Sequence, residues 1–327
     1  MIELQPTGQP AGSENDSMGK DMPAQGCRHG TRLSMRATED RLALGAPDRT
    51  GNRSSHATPT TRKSLWRWFV WNELLSSAFP VYIFVLLAGT RYLHVPGVSR
   101  YDLLLILCLA AQAAFVRFRY ETMREFKVIM AFHVIGLILE IYKTHFHAWA
   151  YPGPSILHIA GVPLYSGFMY ASVASYLCQA WRRLNLRLTN VPNWNLSCAL
   201  AVAIYVNFFT ERFFYDLRWV LITLVFIHFR RTRVSCGPTL PSNPALYIPN
   251  QIIRMPLAIG LLLVGVFVWF AENFGTLCGA WQYPNQHHGW AIVHASKLGS
   301  WFLLVVIEFL IVAKLKYKTR NVDRPAH

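Results

Sequence analysis

Residues 140–152 read EIYKTHFHAWAYP, and residues 272–284 read ENFGTLCGAWQYP. In both stretches a Glu is followed nine residues later by a Trp and eleven residues later by a Tyr-Pro pair, and the two copies are 132 residues apart. Because Trp and Tyr-Pro are uncommon, we interpret the shared spacing as a repeat rather than a coincidence. We call it the Glu–Trp–Tyr motif; its members are Glu140, Trp149 and Tyr151 in the first copy and Glu272, Trp281 and Tyr283 in the second.

Each copy of the motif begins near the end of a long apolar segment. The chain has 327 residues, 53% of them hydrophobic, and the hydrophobic residues occur in long blocks. Blocks of about 17–25 residues are typical of transmembrane helices. The sequence therefore predicts an all-α fold, a polytopic membrane helix bundle of about eight transmembrane helices. The predicted helices cover residues 72–93, 100–117, 126–147, 163–181, 195–211, 213–229, 254–275 and 291–313.

The positions of the basic residues predict an orientation for this bundle. Every second connection between the predicted helices is basic, whereas the connections 148–162 and 276–290 contain no Lys or Arg. Since basic connections remain in the cytoplasm, both termini are expected to be cytoplasmic. The net charge of +15 comes mainly from these inner connections, which favours membrane lipids with anionic head groups as partners. Nucleic acid is not expected as a partner, because the charge is spread over membrane loops without a binding motif.

The chain divides into a polar tail and an apolar body. Residues 1–63 are rich in Ser, Thr, Arg, Gly and Pro and have no apolar run, which predicts a disordered cytoplasmic N-terminal tail. Residues 66–316 form the predicted bundle, and residues 317–327 a cytoplasmic tail. The predicted helices that carry the motif are four spans apart and run in the same direction. They indicate a 4+4 parallel repeat with halves at 66–190 and 191–316.

Glu140 and Glu272 are the strongest candidates for catalytic residues. An ionisable group at membrane depth is costly and is treated as a functional-site hypothesis. Lys143 lies three residues after Glu140 and is a candidate to pair with it and keep it ionised. Lys297 is the predicted cross-helix partner of Glu272, which has no basic residue at helical spacing. We therefore expect the two carboxylates to converge in one pocket with these two lysines.

Aromatic and histidine side chains complete the predicted site. The candidates for substrate binding are Trp149, Tyr151, Tyr165, Trp281, Tyr283, His133 and His294. An alternative interpretation of the Trp and Tyr residues is an interfacial aromatic belt. Several histidines also lie at the predicted outer level, but no HxxxH or HxxHH cluster occurs. We expect neither a metal nor a cofactor, although a metal site formed by these histidines is a second interpretation.

Two longer stretches resemble a known family. The run GVPLYSGFMYASVASYLCQAWRRL at 161–184 and the run at 271–316 look like the YoaT-like family of uncharacterised bacterial membrane proteins, over about residues 66–316. This resemblance implies a location in the bacterial inner membrane and no particular activity. In addition, Glu140, Trp149, Tyr151 and the Gly-Val-Pro-Leu at 161–164 are similar to a pattern of membrane carotenoid hydratases and small bacterial lycopene cyclases. That likeness implies an enzyme that protonates isoprenoid double bonds, but the second copy lacks the Gly-Val-Pro-Leu.

Three functions are compatible with these features. The first is an intramembrane enzyme in which Glu272 is a general acid and Glu140 a base or charge stabiliser, acting on an isoprenoid or other lipid-like substrate. The second is a proton-coupled transporter of a small solute, since repeats with acidic groups within the membrane are common in such carriers. The third is a non-catalytic membrane scaffold in which the carboxyl groups serve only helix–helix hydrogen bonding.

Overall fold

A computed structural model describes residues 61–93, 95–238 and 251–322, with side chains as far as residue 317. Most of these residues are helical, which confirms the all-α fold class. The helices are α1 (Arg62–Ser76), α2 (Ala78–Tyr92), α3 (Arg100–Arg117), α4 (Met123–His145), α5 (Gly167–Arg183), α6 (Trp194–Thr210), α7 (Arg218–Phe229), α8 (Leu257–Leu277) and α9 (Lys297–Val322). The short strands are β1 (His158–Ile159), β2 (Val162–Pro163), β3 (Arg187–Thr189), β4 (Arg233–Cys236) and β5 (Ile253–Pro256).

Polar residues at the helix starts explain where several helices begin. Thr61 and Ser64 form a capping box for α1, and Thr122 and Glu125 form one for α4. In a capping box the two side chains satisfy backbone N–H groups that have no partner inside the helix. Because α1 begins at Arg62, the last two residues of the predicted tail 1–63 are helical; residues 1–60 lie outside the described ranges.

The segment predicted as a single helix at 72–93 is instead the end of α1 followed by α2. The axes of these helices differ by 55°, and the break lies at Ser77. Pro80 follows in the first turn of α2. A proline has no N–H to bond the carbonyl four residues earlier, and its ring clashes with that carbonyl. The proline therefore interrupts the helix and separates α1 from α2.

Two of the helices, α8 and α9, are long and apolar enough to cross a membrane. The bent pair α1–α2 meets the same criteria if the two helices count as one broken span. The helices α6 and α7 are apolar but have only 17 and 12 residues. Within the described ranges, length and composition thus indicate association with a membrane and provide two candidate spans, or three with the bent pair.

Three of the connections contain short strands, which the sequence did not predict. The strands β3, β4 and β5 form one antiparallel sheet, in which Leu188 is paired with Val234 and Val234 with Met255. This sheet links the α5–α6 connection to the α7–α8 connection. The strands β1 and β2 form a second, two-stranded sheet within the α4–α5 connection. Hydropathy windows miss such strands because each has only two to four residues.

Small residues let the helices that carry the motif approach their neighbours closely. A methyl group added to Gly136 of α4 would lie 2.4 Å from the Tyr170 ring of α5. A methyl group added to Gly265 of α8 would lie 3.0 Å from Cα of Phe302 in α9. These close contacts pack α4 on α5 and α8 on α9, and they bring side chains of α5 and α9 towards the two motifs.

Candidate functional site

Glu140 lies near the C-terminal end of α4, where its side chain is almost fully buried, with 2% of the residue exposed. Trp149 Nε1 and Tyr151 Oη donate hydrogen bonds of 2.6 and 2.7 Å to its Oε2 atom. Tyr170 Oη of α5 donates a third, of 2.8 Å, to Oε1. Both downstream residues of the motif therefore fold back onto its Glu.

Glu272 of α8 has the same arrangement and is 5% exposed. Trp281 Nε1 and Tyr283 Oη donate hydrogen bonds of 3.0 and 2.5 Å to its Oε1 atom. The spacing of nine and eleven residues thus has one structural meaning in both copies. It returns an indole N–H and a phenol O–H from the loop to the carboxyl group of the preceding helix.

The two helices also end in the same way. His147 and Gly279 both adopt a left-handed backbone, with φ of 56° and 65°. The following N–H groups, of Ala148 and Ala280, each bond the carbonyl five residues earlier at 3.0 Å. This is the Schellman arrangement, which closes a helix and reverses the chain. It directs the Trp and Tyr of each copy back towards the helix.

The two copies of the motif contact each other. Ala150 and Gln282 occupy equivalent positions, and their backbones exchange two hydrogen bonds of 2.9 Å in an isolated antiparallel bridge. The rings of Trp149 and Tyr283 lie 5.8 Å apart. Lys297 Nζ lies 5.3 Å from the centre of the first ring and 5.1 Å from the centre of the second. These cation–π contacts place its positive charge at the junction of the two copies.

Both carboxylates line one large cavity. Its volume is about 660 Å³, and its walls are formed by α1, α2, α5, α8 and α9. Most lining residues are aliphatic or aromatic, and four carboxyl groups interrupt this apolar surface. They belong to Glu73, Glu140, Glu272 and Glu308.

The border of the cavity includes exposed apolar side chains. Val70, Leu74 and Val81 lie on the α1–α2 side, and Leu263 and Phe267 on the α8 side. Phe267 is the most exposed of them, at 72%. Because exposed apolar residues are compatible with lipid rather than with water, this border would suit an opening towards the membrane interior.

The two predicted lysine partners have different outcomes. Lys143 does not bind Glu140 but forms an ion pair of 2.5 Å with Glu211, which follows α6. The predicted Glu140–Lys143 pair is therefore wrong, because the Lys143 side chain extends towards the α6–α7 connection. Among the described residues Lys297 forms no ion pair within 4 Å, but it is close enough to Glu272 for the two charges to interact, as predicted. Its ammonium group also contacts the two aromatic rings.

The other predicted binding residues lie at different distances from the cavity. Trp149 and Trp281 line it, and Tyr151 and Tyr283 lie directly behind as donors to the carboxylates. Tyr165 is one layer further back; it is stacked on Tyr101 at 5.3 Å and is not part of the lining.

The two predicted histidines, His133 and His294, do not line the cavity, so a role in binding a substrate remains a prediction without support from its lining. His133 packs on Phe168 at 4.4 Å and faces α5. His294 is exposed, and its Nδ1 lies 2.8 Å from Ser296 Oγ. Across the part of the chain that the structure describes, no three His, Cys, Asp or Glu side chains are grouped as ligands for a metal ion.

The sequence did not identify three residues of the site. Tyr170, the third donor to Glu140, lies in α5. The second copy has no equivalent donor to Glu272, because Phe302 occupies the position 132 residues after Tyr170. Glu73 and Glu308 line the cavity far from the motif. The intramembrane position of Glu308 was the available signal, since the sequence placed it deep in the last predicted helix.

Glu121 is a buried carboxyl group outside the cavity, in the connection between α3 and α4. Glu121 accepts a hydrogen bond from Ser175 Oγ, and its Oε2 has no partner among the residues that the structure describes. Burial raises the pKa of Glu121 to about 7, the Ser175 hydrogen bond lowers it, and nearby Glu125 raises it further. This group can therefore change its charge near neutral pH.

Comparison with known proteins gives two matches. Residues 65–309 match the family described as "Protein of unknown function (DUF817)". Over 248 residues the chain is 51% identical to "Uncharacterized protein YoaT" of Bacillus subtilis (strain 168), which covers 76% of this chain and 90% of that relative. No solved structure matches the chain.

Proposed function

Because the chain belongs to the DUF817 family of proteins of unknown function, we propose its activity from the cavity alone. We propose an intramembrane enzyme that transfers protons to and from an isoprenoid or other lipid-like substrate by means of Glu140 and Glu272. One observation carries the proposal: two buried carboxyl groups, each bonded by the Trp and Tyr of a repeated motif, line the same apolar cavity.

The proposal includes a multi-pass protein of the bacterial inner membrane with both termini in the cytoplasm. Eight apolar segments, alternating basic connections and the two long apolar helices α8 and α9 support it. The contact between equivalent residues Ala150 and Gln282 supports a repeat of the two halves. The apolar border of the cavity suits a substrate that enters from the lipid.

The proposed chemistry is a shift of a carbon–carbon double bond. Glu272, when protonated, donates its proton to one carbon of the double bond, and the π electrons form the new C–H bond. A cation remains on the neighbouring carbon, facing the rings of Trp149 and Trp281. Glu140 then removes a proton from the next carbon, whose C–H electrons form the shifted double bond. A proton passes from Glu140 back to Glu272 to complete the cycle, so that no oxidant or reductant is consumed.

The test is incubation of the purified protein with a panel of isoprenoid polyenes in deuterated water. We expect deuterium to enter the substrate, and Glu272→Gln to lower the rate by about 100-fold or more, which is typical for loss of a general acid. The matched control is Glu121→Gln, another buried carboxyl group that does not line the cavity. Absence of exchange with every polyene, or an unchanged rate for Glu272→Gln, would contradict the proposal.

A proton-coupled transporter is the second candidate. The cavity has carboxyl groups on four different helices, which would suit a carrier that binds protons at more than one place. In sealed vesicles, uptake of a small solute that is abolished by Glu272→Gln, together with no change in any polyene, would favour transport over the enzyme.

A further inference from the structure

Glu308 is a buried carboxyl group that the proposed proton transfer does not use. It is 0% exposed, it lines the cavity from α9, and neither carboxyl oxygen has a hydrogen-bond partner among the residues that the structure describes. Buried polar groups are nearly always hydrogen-bonded, and an unsatisfied one is costly. The other cavity carboxyl groups differ, since even Glu73 accepts a 3.0 Å bond from Tyr176.

The packing of α8 on α9 sets the depth of Glu308. Val293 N donates to Asn273 Oδ1 at 2.8 Å near the outer end, and further along Gly265 meets Phe302. The two helices are therefore antiparallel. Glu308 lies six residues after Phe302, so it is level with the residue six positions before Gly265, which is position 259 of α8. Glu272 lies thirteen residues after position 259. At 1.5 Å per residue, the two carboxyl groups are roughly 20 Å apart along the helices.

The parts of the wall that α8 and α9 contribute between these two levels are apolar. From α8 it includes Leu261, Val264 and Val268, and from α9 it includes Leu304 and Val305. The cavity therefore provides a long hydrocarbon-like path between the motif pair Glu140 and Glu272 and the unpartnered Glu308, while the fourth carboxyl group, Glu73, is bonded to Tyr176. An elongated amphiphile with one polar end matches this distribution, because its chain would be desolvated and its head would satisfy Glu308.

We propose that Glu308 binds the polar head of the substrate, through an O–H or N–H donor on that head. The apolar chain then extends along α8 and α9 so that its far part reaches Glu140 and Glu272. The inference deepens the proposed function. It rests on that function only for the proton transfer at the far end of the substrate's apolar chain. It names the substrate class as a long isoprenoid alcohol or amine rather than a plain hydrocarbon.

The experiment measures binding to the full-length protein in lipid nanodiscs with three probes of equal chain length: an isoprenoid alcohol, the corresponding primary amine and the methyl ether of the alcohol. We expect the alcohol, the amine or both to bind at least about 10-fold more tightly than the ether, which has no donor. Glu308→Leu should remove this preference and leave the affinity for the ether unchanged. The unchanged ether affinity would show that the cavity is intact.

Two further variants make the result decisive. Glu308→Gln keeps an oxygen acceptor but no negative charge, so any preference for the alcohol should be reduced less than in Glu308→Leu. Glu272→Gln should lose proton transfer and keep the head-group preference, which separates failure of the proposed function from failure of this inference. Equal binding of all three probes, no binding of any probe, or a preference that persists in Glu308→Leu would overturn the inference.

Discussion

At the scale of single residues, neutral donors form the hydrogen bonds to the two carboxyl groups of the motif. An indole N–H and a phenol O–H satisfy each motif Glu, and Lys143 is occupied by Glu211 instead. Such donors stabilise a carboxylate without neutralising it, and they can also remain bonded when the group carries a proton. A carboxyl group held in this way is better suited to gaining and losing protons than one locked in an ion pair.

The same scale gives a prediction for Glu121, which lies outside the proposed spans. Because the folded protein raises its pKa from 4.5 to about 7, the folded state binds more protons than the unfolded state between these pH values. The free energy of unfolding should therefore fall as the pH rises through this window, by up to about 1.4 kcal/mol per pH unit, and level off above it.

The measurement is thermal unfolding in detergent from pH 4 to pH 8 for the parent protein and Glu121→Gln. The difference between the two should change through the window, because the variant has no group there to titrate. A constant difference between the curves would show that Glu121 does not titrate as expected.

At the scale of elements, the identical ends of α4 and α8 allow each motif to fold back. Both helices close with a left-handed residue and the same N–H bond to the carbonyl five residues earlier. In the second copy the indole of Trp281 lies directly on Gly275, where a methyl group would be 2.1 Å from the ring. The helix end turns the chain back towards α8, and the absence of a side chain at Gly275 leaves room for the indole to reach Glu272.

Gly275→Ala should therefore destabilise the protein although alanine favours helices. We expect the free energy of unfolding to decrease by about 1–3 kcal/mol, because the rigid indole must move. Gly89→Ala is the matched control; Gly89 is also within a helix, and an added methyl group would meet nothing within 4 Å. The control should be neutral or more stable by up to about 1 kcal/mol. Equal effects of both substitutions on the unfolding temperature would contradict this explanation.

At the scale of the whole molecule, the apolar body combines a buried carboxyl-lined cavity with an exposed apolar border. In water such a border would be a liability for aggregation, whereas in a bilayer it would face lipid. The proposed orientation places the α4–α5 connection on the periplasmic side of the inner membrane and the α3–α4 connection in the cytoplasm. This arrangement gives a prediction that depends on the number of spans.

Cysteine labelling in intact cells tests the orientation. Ile156→Cys lies in the α4–α5 connection and Met123→Cys at the start of α4, and both positions are exposed. With a membrane-impermeant thiol reagent, Ile156→Cys should be labelled above the background of the parent protein, whereas Met123→Cys should be labelled only after the cells are permeabilised. Labelling of both variants in intact cells, or of neither, would contradict the proposed topology.

The sequence by itself determined the helical class, the approximate positions of the helices and the repeated motif that contains Glu140 and Glu272. These features depend on local sequence patterns, because apolar blocks indicate helices and a repeated spacing indicates a repeated local structure. The predicted segment 100–117 has the same bounds as α3 for this reason. The short strands and the bend before Pro80 were missed because they involve only a few residues each.

Only the tertiary structure decided which side chains meet. In the structure Lys143 pairs with Glu211, Tyr170 donates to Glu140, and His133 and His294 do not line the cavity. Glu308 has no hydrogen-bond partner within the described part of the chain. Such contacts depend on which helix faces pack together and at what depth, and spacing along one helix does not specify the neighbouring helix. The carboxyl groups were therefore predictable as candidates, whereas the shape and the apolar lining of the cavity between them were not.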